Sequence, residues 1–193
     1  MSKITVKKAA LKLFAEKGYD GTALSEIAQL AGIKTPSIYA HFSSKEALFM
    51  EIYQDVIQKE LNSFKEASKE DYKTARDLLQ SVFYKATDFK QAADAKKFFQ
   101  RTIYYPPKTL QNKLKEEAST YETLTFQALG EILVEEIPDE ISRKHWLHIF
   151  YCLIDGLSVE HELYHAKEFE ERRCSAWLVL ESLMSKEHGR FFK

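Results

Sequence analysis

The chain reads as all-α, and three observations lead there. Only six Gly and four Pro interrupt 193 residues. Apolar residues recur at intervals of three and four along nearly the whole length, and no stretch keeps the strict alternation of a half-buried strand. A hydrophobic content of 45% with 13% aromatic residues is ample for a packed core. No apolar run approaches the roughly 20 residues of a membrane span, and the N-terminus leads into a polar amphipathic helix rather than a secretory signal, so the expected location is cytoplasmic. Cys152 and Cys174 lie in apolar helical patterns without a CxxC pair and read as reduced core residues.

The first helix covers about residues 4–17, burying Val6, Ala10, Leu13 and Phe14 and stopping at Gly18, with Tyr19 folding back as an apolar anchor. A second helix, about 23–31, places Leu24, Ile27, Ala28 and Ala31 on one face, with Thr22 as its N-cap and Gly32 as its stop. A third, short helix takes Thr35 as N-cap and Pro36 at its first position and runs to about His41, with Ile33, Ile38 and Phe42 inward. Ser43-Ser-Lys-Glu46 reads as a capping box opening a fourth helix, and Phe42 with Ala47 as its hydrophobic staple.

Two short amphipathic helices meeting at a Gly-centred turn make a helix-turn-helix, and the outer side of the second carries small polar, aromatic and basic residues suited to a groove of DNA. The net charge of −1 hides an asymmetry. Residues 1–50 carry +3 and the remainder −4, as expected of a DNA-reading head on a body that does not touch DNA. Lys45 stands in the first turn of its helix, where a cation opposes the dipole unless a phosphate lies nearby.

Leu13-Phe14-x-x-x-Gly18-Tyr19, Thr22-x-x-x-x-Ile27-Ala28-x-x-Ala31-Gly32-Ile33, Ser37-Ile38-Tyr39-x-His41-Phe42 and Lys45-x-x-Leu48 resemble the N-terminal domain of the tetracycline-repressor-like (TetR) family of bacterial transcription regulators. The resemblance spans about residues 4–50; beyond it only length, helical content and Asp155-Gly156-Leu157 are similar. It implies that Tyr39, His41 and Lys45 contact phosphates, that Lys34, Thr35, Pro36 and Ser37 approach base edges and sugar-phosphate in the major groove, and that Ser25 is a further DNA-contacting position. The arginine that some members use at Ser25 is absent. No Arg, Asn or Gln on the third helix offers a bidentate base contact, so small polar and methyl contacts with DNA shape carry the readout. Packing of Tyr39 against the first helix and a capping role for His41 are the structural alternatives.

The domain boundary falls near residue 48: 1–48 as the DNA-binding head and 49–193 as a helical effector-binding and dimerisation body. Residues 139–164 carry two apolar stripes, one of Ile141, His145, Ile149, Cys152, Gly156, Val159 and Leu163 and one of Trp146, Phe150, Leu153, Leu157 and Tyr164, and a helix apolar on two sides must be covered on two sides. With a last helix at about 168–186, this suits a four-helix bundle shared by two chains, its interface drawn from Trp146, Phe150, Leu153, Gly156, Leu157, Trp177, Leu180 and Met184. The expected partners are a second copy and a palindromic double-stranded operator whose half-sites lie ~34 Å apart.

The middle of the chain, 71–136, is aromatic beyond the needs of a thin helical layer and is split by Pro106-Pro107. It is the expected site of a small apolar or aromatic effector, in a pocket among helices four to eight lined by Phe64, Phe83, Tyr84, Phe98, Phe99, Arg101, Tyr104, Tyr105, Tyr121, Phe126 and Phe150. One motif points to another class: His161-Glu162-Leu163-Tyr164-His165 matches the HExxH zinc-hydrolase pattern, with both His on one helical face. No distinctive third ligand follows and there is no sheet to hold a peptide, so no catalytic residue, metal or cofactor is assigned. The expectation is a dimeric repressor released by its effector. An activator or a co-repressor-dependent regulator of the same fold is the alternative.

Overall fold

The computed structural model describes residues 2–67 and 72–184, with only the helical backbone for 63–67. The described residues form eight α-helices and a 3₁₀ turn, with no strand: α1 (Lys3–Lys17), α2 (Leu24–Leu30), the turn Thr35–Ile38, α3 (Lys45–Ala67), α4 (Ala75–Ala86), α5 (Ala93–Tyr104), α6 (Gln111–Ile132), α7 (Glu140–Glu160) and α8 (Ala166–Ser182). They fall into two compact units, Met1–Asn62 with Lys90–Thr120, and Ser63–Phe89 with Tyr121–Lys193.

In the first unit α1 packs on α2 and α5. Its centre is aromatic. Phe14 meets Phe49 edge-on at 5.0 Å, Phe49 lies 5.0 Å from Phe98, and Tyr19 folds back on Phe14 and Phe49 as expected. Offset and edge contacts of this kind add about 0.5–1.5 kcal/mol per pair beyond area burial. Gly18 makes the turn that returns Tyr19, at φ +76° and ψ 177°, a region essentially closed to side chains; an added Cβ would also stand 2.7 Å from the Arg101 Nε. Gly32 ends α2 at φ +70°, where the Ile33 N–H reaches the Ala28 carbonyl in a Schellman closure.

Three local expectations shift. Thr22 does not cap α2; Ala23 does, and the buried Thr22 hydroxyl donates to the Leu13 and Gly18 carbonyls. The Glu26 carboxylate closes the cap by accepting the Ala23 N–H at 2.9 Å, a bond that, with Lys17 beside it, lowers its pKa. The third helix is only a 3₁₀ turn with Lys34 in the cap position, because a segment with Ile38 and Phe42 as its buried anchors is too short to propagate α-helix. The cap of α3 is Ser44 rather than Ser43: its hydroxyl accepts the Ala47 N–H at 3.0 Å. Two adjacent serines are equivalent as caps, and burial of Leu48 and Phe49 sets the helix phase that chooses between them.

The second unit has its own core of Leu79, Phe83, Leu129, Leu133, Trp146, Phe150, Leu157, Trp177, Leu180 and Met184. Here α8 packs on α7 and α4, and the Trp146 indole donates to the Leu180 carbonyl at 2.9 Å. Six of the eight residues expected at a dimer interface, Trp146, Phe150, Leu157, Trp177, Leu180 and Met184, are therefore core of the chain itself. Leu153 is half-buried and Gly156 exposed. The other stripe is the uncovered one: Ile141, Cys152, Gly156, Val159 and Leu163 are exposed, with Cys174, Leu178 and Val179 on α8. Both cysteines are thus free and exposed, not core, because they fall on the outward faces of their helices. The indoles go inward because they carry the larger apolar area to bury.

Candidate nucleic-acid interface

The reading turn is pinned from beneath and open above. Ile38 and Phe42 are buried, while Lys34, Pro36, Ser37, Ala40 and His41 are exposed, Tyr39 is 56% exposed and Thr35 is half-buried. Ser25 is exposed at the start of α2. More than half of Tyr39 is open to solvent rather than buried as a core anchor, and His41 stands edge-on to the Phe42 ring at 6.5 Å. The turn holds its shape through backbone bonds, Ser37 N–H to Lys34 carbonyl and Tyr39 N–H to Pro36 carbonyl.

Lys45 behaves differently from its neighbours. Its ammonium donates to the Tyr19 carbonyl at 2.7 Å and the Thr22 carbonyl at 2.9 Å and lies 4.2 Å from the Tyr19 ring centre. The turn between α1 and α2 thus supplies the acceptors that make a cation acceptable in the first turn of α3. The anomaly at Lys45 was visible in the sequence, but Tyr19 and Thr22 were not, because their part is played by backbone carbonyls.

Ion pairs thin the positive charge of the head selectively. Lys3 pairs with Glu51, Lys7 with Glu51 and Asp55, and Lys17 with Glu26. The Lys3 and Lys7 bonds hold the Glu51 carboxyl below its ordinary range against a smaller opposing effect of burial. Lys34, on the reading turn, has no such partner among the described residues, so its charge faces outward. Lys3 also sits 5.1 Å from the Phe42 ring centre, bracing the segment that follows the turn.

The aromatic residues expected to line one pocket separate into two groups. In the first unit Phe98 is in the core, Phe99 stacks on Tyr53 at 6.0 Å, and Arg101, Tyr104 and Tyr105 are exposed. Tyr104 and Tyr105 close α5 just before Pro106-Pro107, where the chain leaves the helix. A recess beside Arg101, walled by Phe14, Gly18, Tyr19, Phe49 and Thr102, has about 10 Å³, room for one water. In the second unit Phe83 and Phe150 are core, Tyr84 and Tyr121 half-buried, and Phe126 stacks on Tyr151. The side chain of Phe64 lies outside the described residues.

The HExxH match does not survive the fold. α7 ends at Glu160, the His161 ring nitrogen lies 2.7 Å from the Ser158 carbonyl with the ring stacked 4.3 Å from Phe89, and His165 is the N-cap of α8. The two His do not share a helical face, and among the described residues no three His, Cys, Asp or Glu are grouped to hold a metal. No described helix is long and apolar enough to cross a membrane.

A three-element head presenting an open reading turn, continued by a helical body, defines a DNA-binding regulator of the helix-turn-helix class. Residues 7–52 match the family model for bacterial regulatory proteins of the tetR family, and residues 73–185 the tetracyclin repressor-like C-terminal domain. The chain belongs to the TetR family of transcription regulators. Among curated proteins it resembles the negative regulator IcaR of the biofilm operon icaADBC, at 52% identity over 40 residues in Staphylococcus aureus (strain Newman) and 44% over 55 in Staphylococcus epidermidis. These matches cover 21% and 28% of this chain and 22% and 28% of the relatives, so the chain spans about a quarter of the relatives it matches. Among solved structures it shares its fold with SCO4454, a TetR-family regulator from Streptomyces coelicolor, at TM-score 0.77 and 14% identity over 94% of this chain and 93% of that one. It also shares it with FadR from Bacillus subtilis, crystallised with stearoyl-CoA, at 0.73 and 22% over 95% and 98%.

Proposed function

We propose that the protein is a cytoplasmic, homodimeric repressor that binds a palindromic operator and leaves it when a small apolar or aromatic molecule enters its helical body. The observation that carries the DNA half is the exposed Lys34, Ser37, Tyr39 and His41 over the buried Ile38 and Phe42. In this reading Lys34, Thr35, Pro36 and Ser37 face base edges and sugar-phosphate, Tyr39, His41 and Lys45 take phosphates, Ser25 makes a further DNA contact, and the two carbonyls of the turn between α1 and α2 hold Lys45 in place for it. The exposed stripe of α7 with Leu178 and Val179 of α8 supports dimerisation, since an uncovered apolar face of this length asks for a partner. Stearoyl-CoA on FadR is in keeping with an apolar effector.

Selecting bound genomic fragments at moderate salt tests the reading. A palindromic site is expected, and Tyr39→Ala should weaken binding to it about tenfold, equally across operator variants, while lowering the salt dependence little because no charge is lost. Retention of no sequence-specific fragment would overturn the proposal.

A further inference from the structure

The turn that holds Lys45 is itself held from α5. A Cβ on Gly18 would stand 2.7 Å from the Arg101 Nε, 3.2 Å from its Nη2 and 3.4 Å from its Cζ. Both nitrogens are nearer than the carbon between them, so the guanidinium meets Gly18 with the edge that carries their hydrogens. That approach is open only because residue 18 has no side chain. It also sets a cation at the C-terminus of α1, which ends at Lys17, where the helix dipole favours positive charge. Among the described residues no carboxylate pairs with Arg101, unlike Arg76, Arg172 and Arg173. The recess beside it has room for a water and none for an organic molecule.

From Gly18 the contacts run on to Lys45. The Gly18 carbonyl accepts the Thr22 hydroxyl at 2.7 Å, and the Thr22 N–H closes the turn on the Tyr19 carbonyl at 3.3 Å. Two of the three Lys45 donors go to the Tyr19 and Thr22 carbonyls, which leaves one N–H for an outside acceptor. All of these residues lie in one compact unit, since Lys90–Thr120 belongs with the head.

We propose that Arg101 is a positioning residue for DNA binding: it fixes the turn from Gly18 to Thr22, and the carbonyls of that turn aim the remaining Lys45 N–H at a phosphate. This rests on the phosphate reading of Lys45 above. Arg101 acts through the turn and makes no DNA contact of its own.

Anisotropy titrations of the full-length protein with a fluorescein-labelled duplex of arbitrary sequence, at stepped salt, test the assignment. Phosphate contacts are independent of sequence and appear in the slope of log affinity against log salt. Lys45→Met should lower that slope by about 0.9 per head. Arg101→Met should lower it to a similar extent and weaken binding several-fold, with the helical circular dichroism intact. Arg101→Lys, which keeps the charge and loses the planar edge, should behave as Arg101→Met does. In the Lys45→Met background neither Arg101 variant should change slope or affinity further. A parent slope in Arg101→Lys, or a further fall in the double variant, would make Arg101 a charge that meets or attracts DNA directly and would overturn its positioning role. A lowered slope in Lys45→Met with a parent slope in Arg101→Met overturns that role alone. An unchanged slope in Lys45→Met overturns the phosphate reading of Lys45, and the proposal with it.

Discussion

Tyr53 is fully buried on α3, its ring parallel to Phe99, and its hydroxyl has no partner among the described residues. Burial, with the charge of Glu117 a smaller contribution, pushes its pKa up to about 12. The folded value lies above the ordinary 10.0, so the folded chain holds this proton more tightly than the unfolded one. That stability is complete below pH 10 and is lost as pH rises towards 12, to about 3 kcal/mol. Urea denaturation at stepped pH should therefore show Tyr53→Phe losing less stability than the parent between pH 10 and 12. At neutral pH the variant should be no less stable, since an unsatisfied O–H is removed with little change of shape. Parallel alkaline losses in the two proteins would refute this account. Lys45 makes the complementary point: its position in the chain marked it as unusual, and only its two carbonyl partners say why.

At the scale of elements, α3 begins at the reading turn, and its cap is where the two meet. Ser44→Ala leaves the Ala47 N–H without its acceptor and should cost about 1 kcal/mol in chemical denaturation. Ser43→Ala should cost almost nothing; the reverse order would show that the cap lies one residue earlier. Operator affinity should fall with Ser44→Ala as well, because the turn between Ile38 and Ser44 loses a fixed end. α7 shows a different limit. Its two apolar stripes are both plain in the periodicity, yet 3.6-residue spacing ranks neither above the other, and the choice falls to the packing of α4, α7 and α8, which takes in Trp146, Phe150 and Leu157.

For the molecule as a whole, the uncovered stripe makes a direct prediction about assembly. Val159 is 50% exposed and Leu178 56%. If the proposed dimer forms through this stripe, Val159→Asp with Leu178→Asp should yield a folded monomer by sedimentation and circular dichroism, with operator affinity reduced at least a hundredfold through loss of the second head. Trp146→Ala should instead destabilise the fold by about 3–5 kcal/mol, because it opens a cavity in the core of one chain. A double variant that stays dimeric would move the interface elsewhere. Periodicity, turn glycines and a short motif were enough to read the all-α class, the helix-turn-helix and the outward set Lys34, Ser37, Tyr39 and His41, since each depends on residues within about ten positions of one another. The cap at Ser44, the carbonyls that hold Lys45 and the burial of Trp146 and Trp177 lay beyond that reach. They depend on which helices meet, and burial is decided between segments far apart in the chain, where local spacing carries no information.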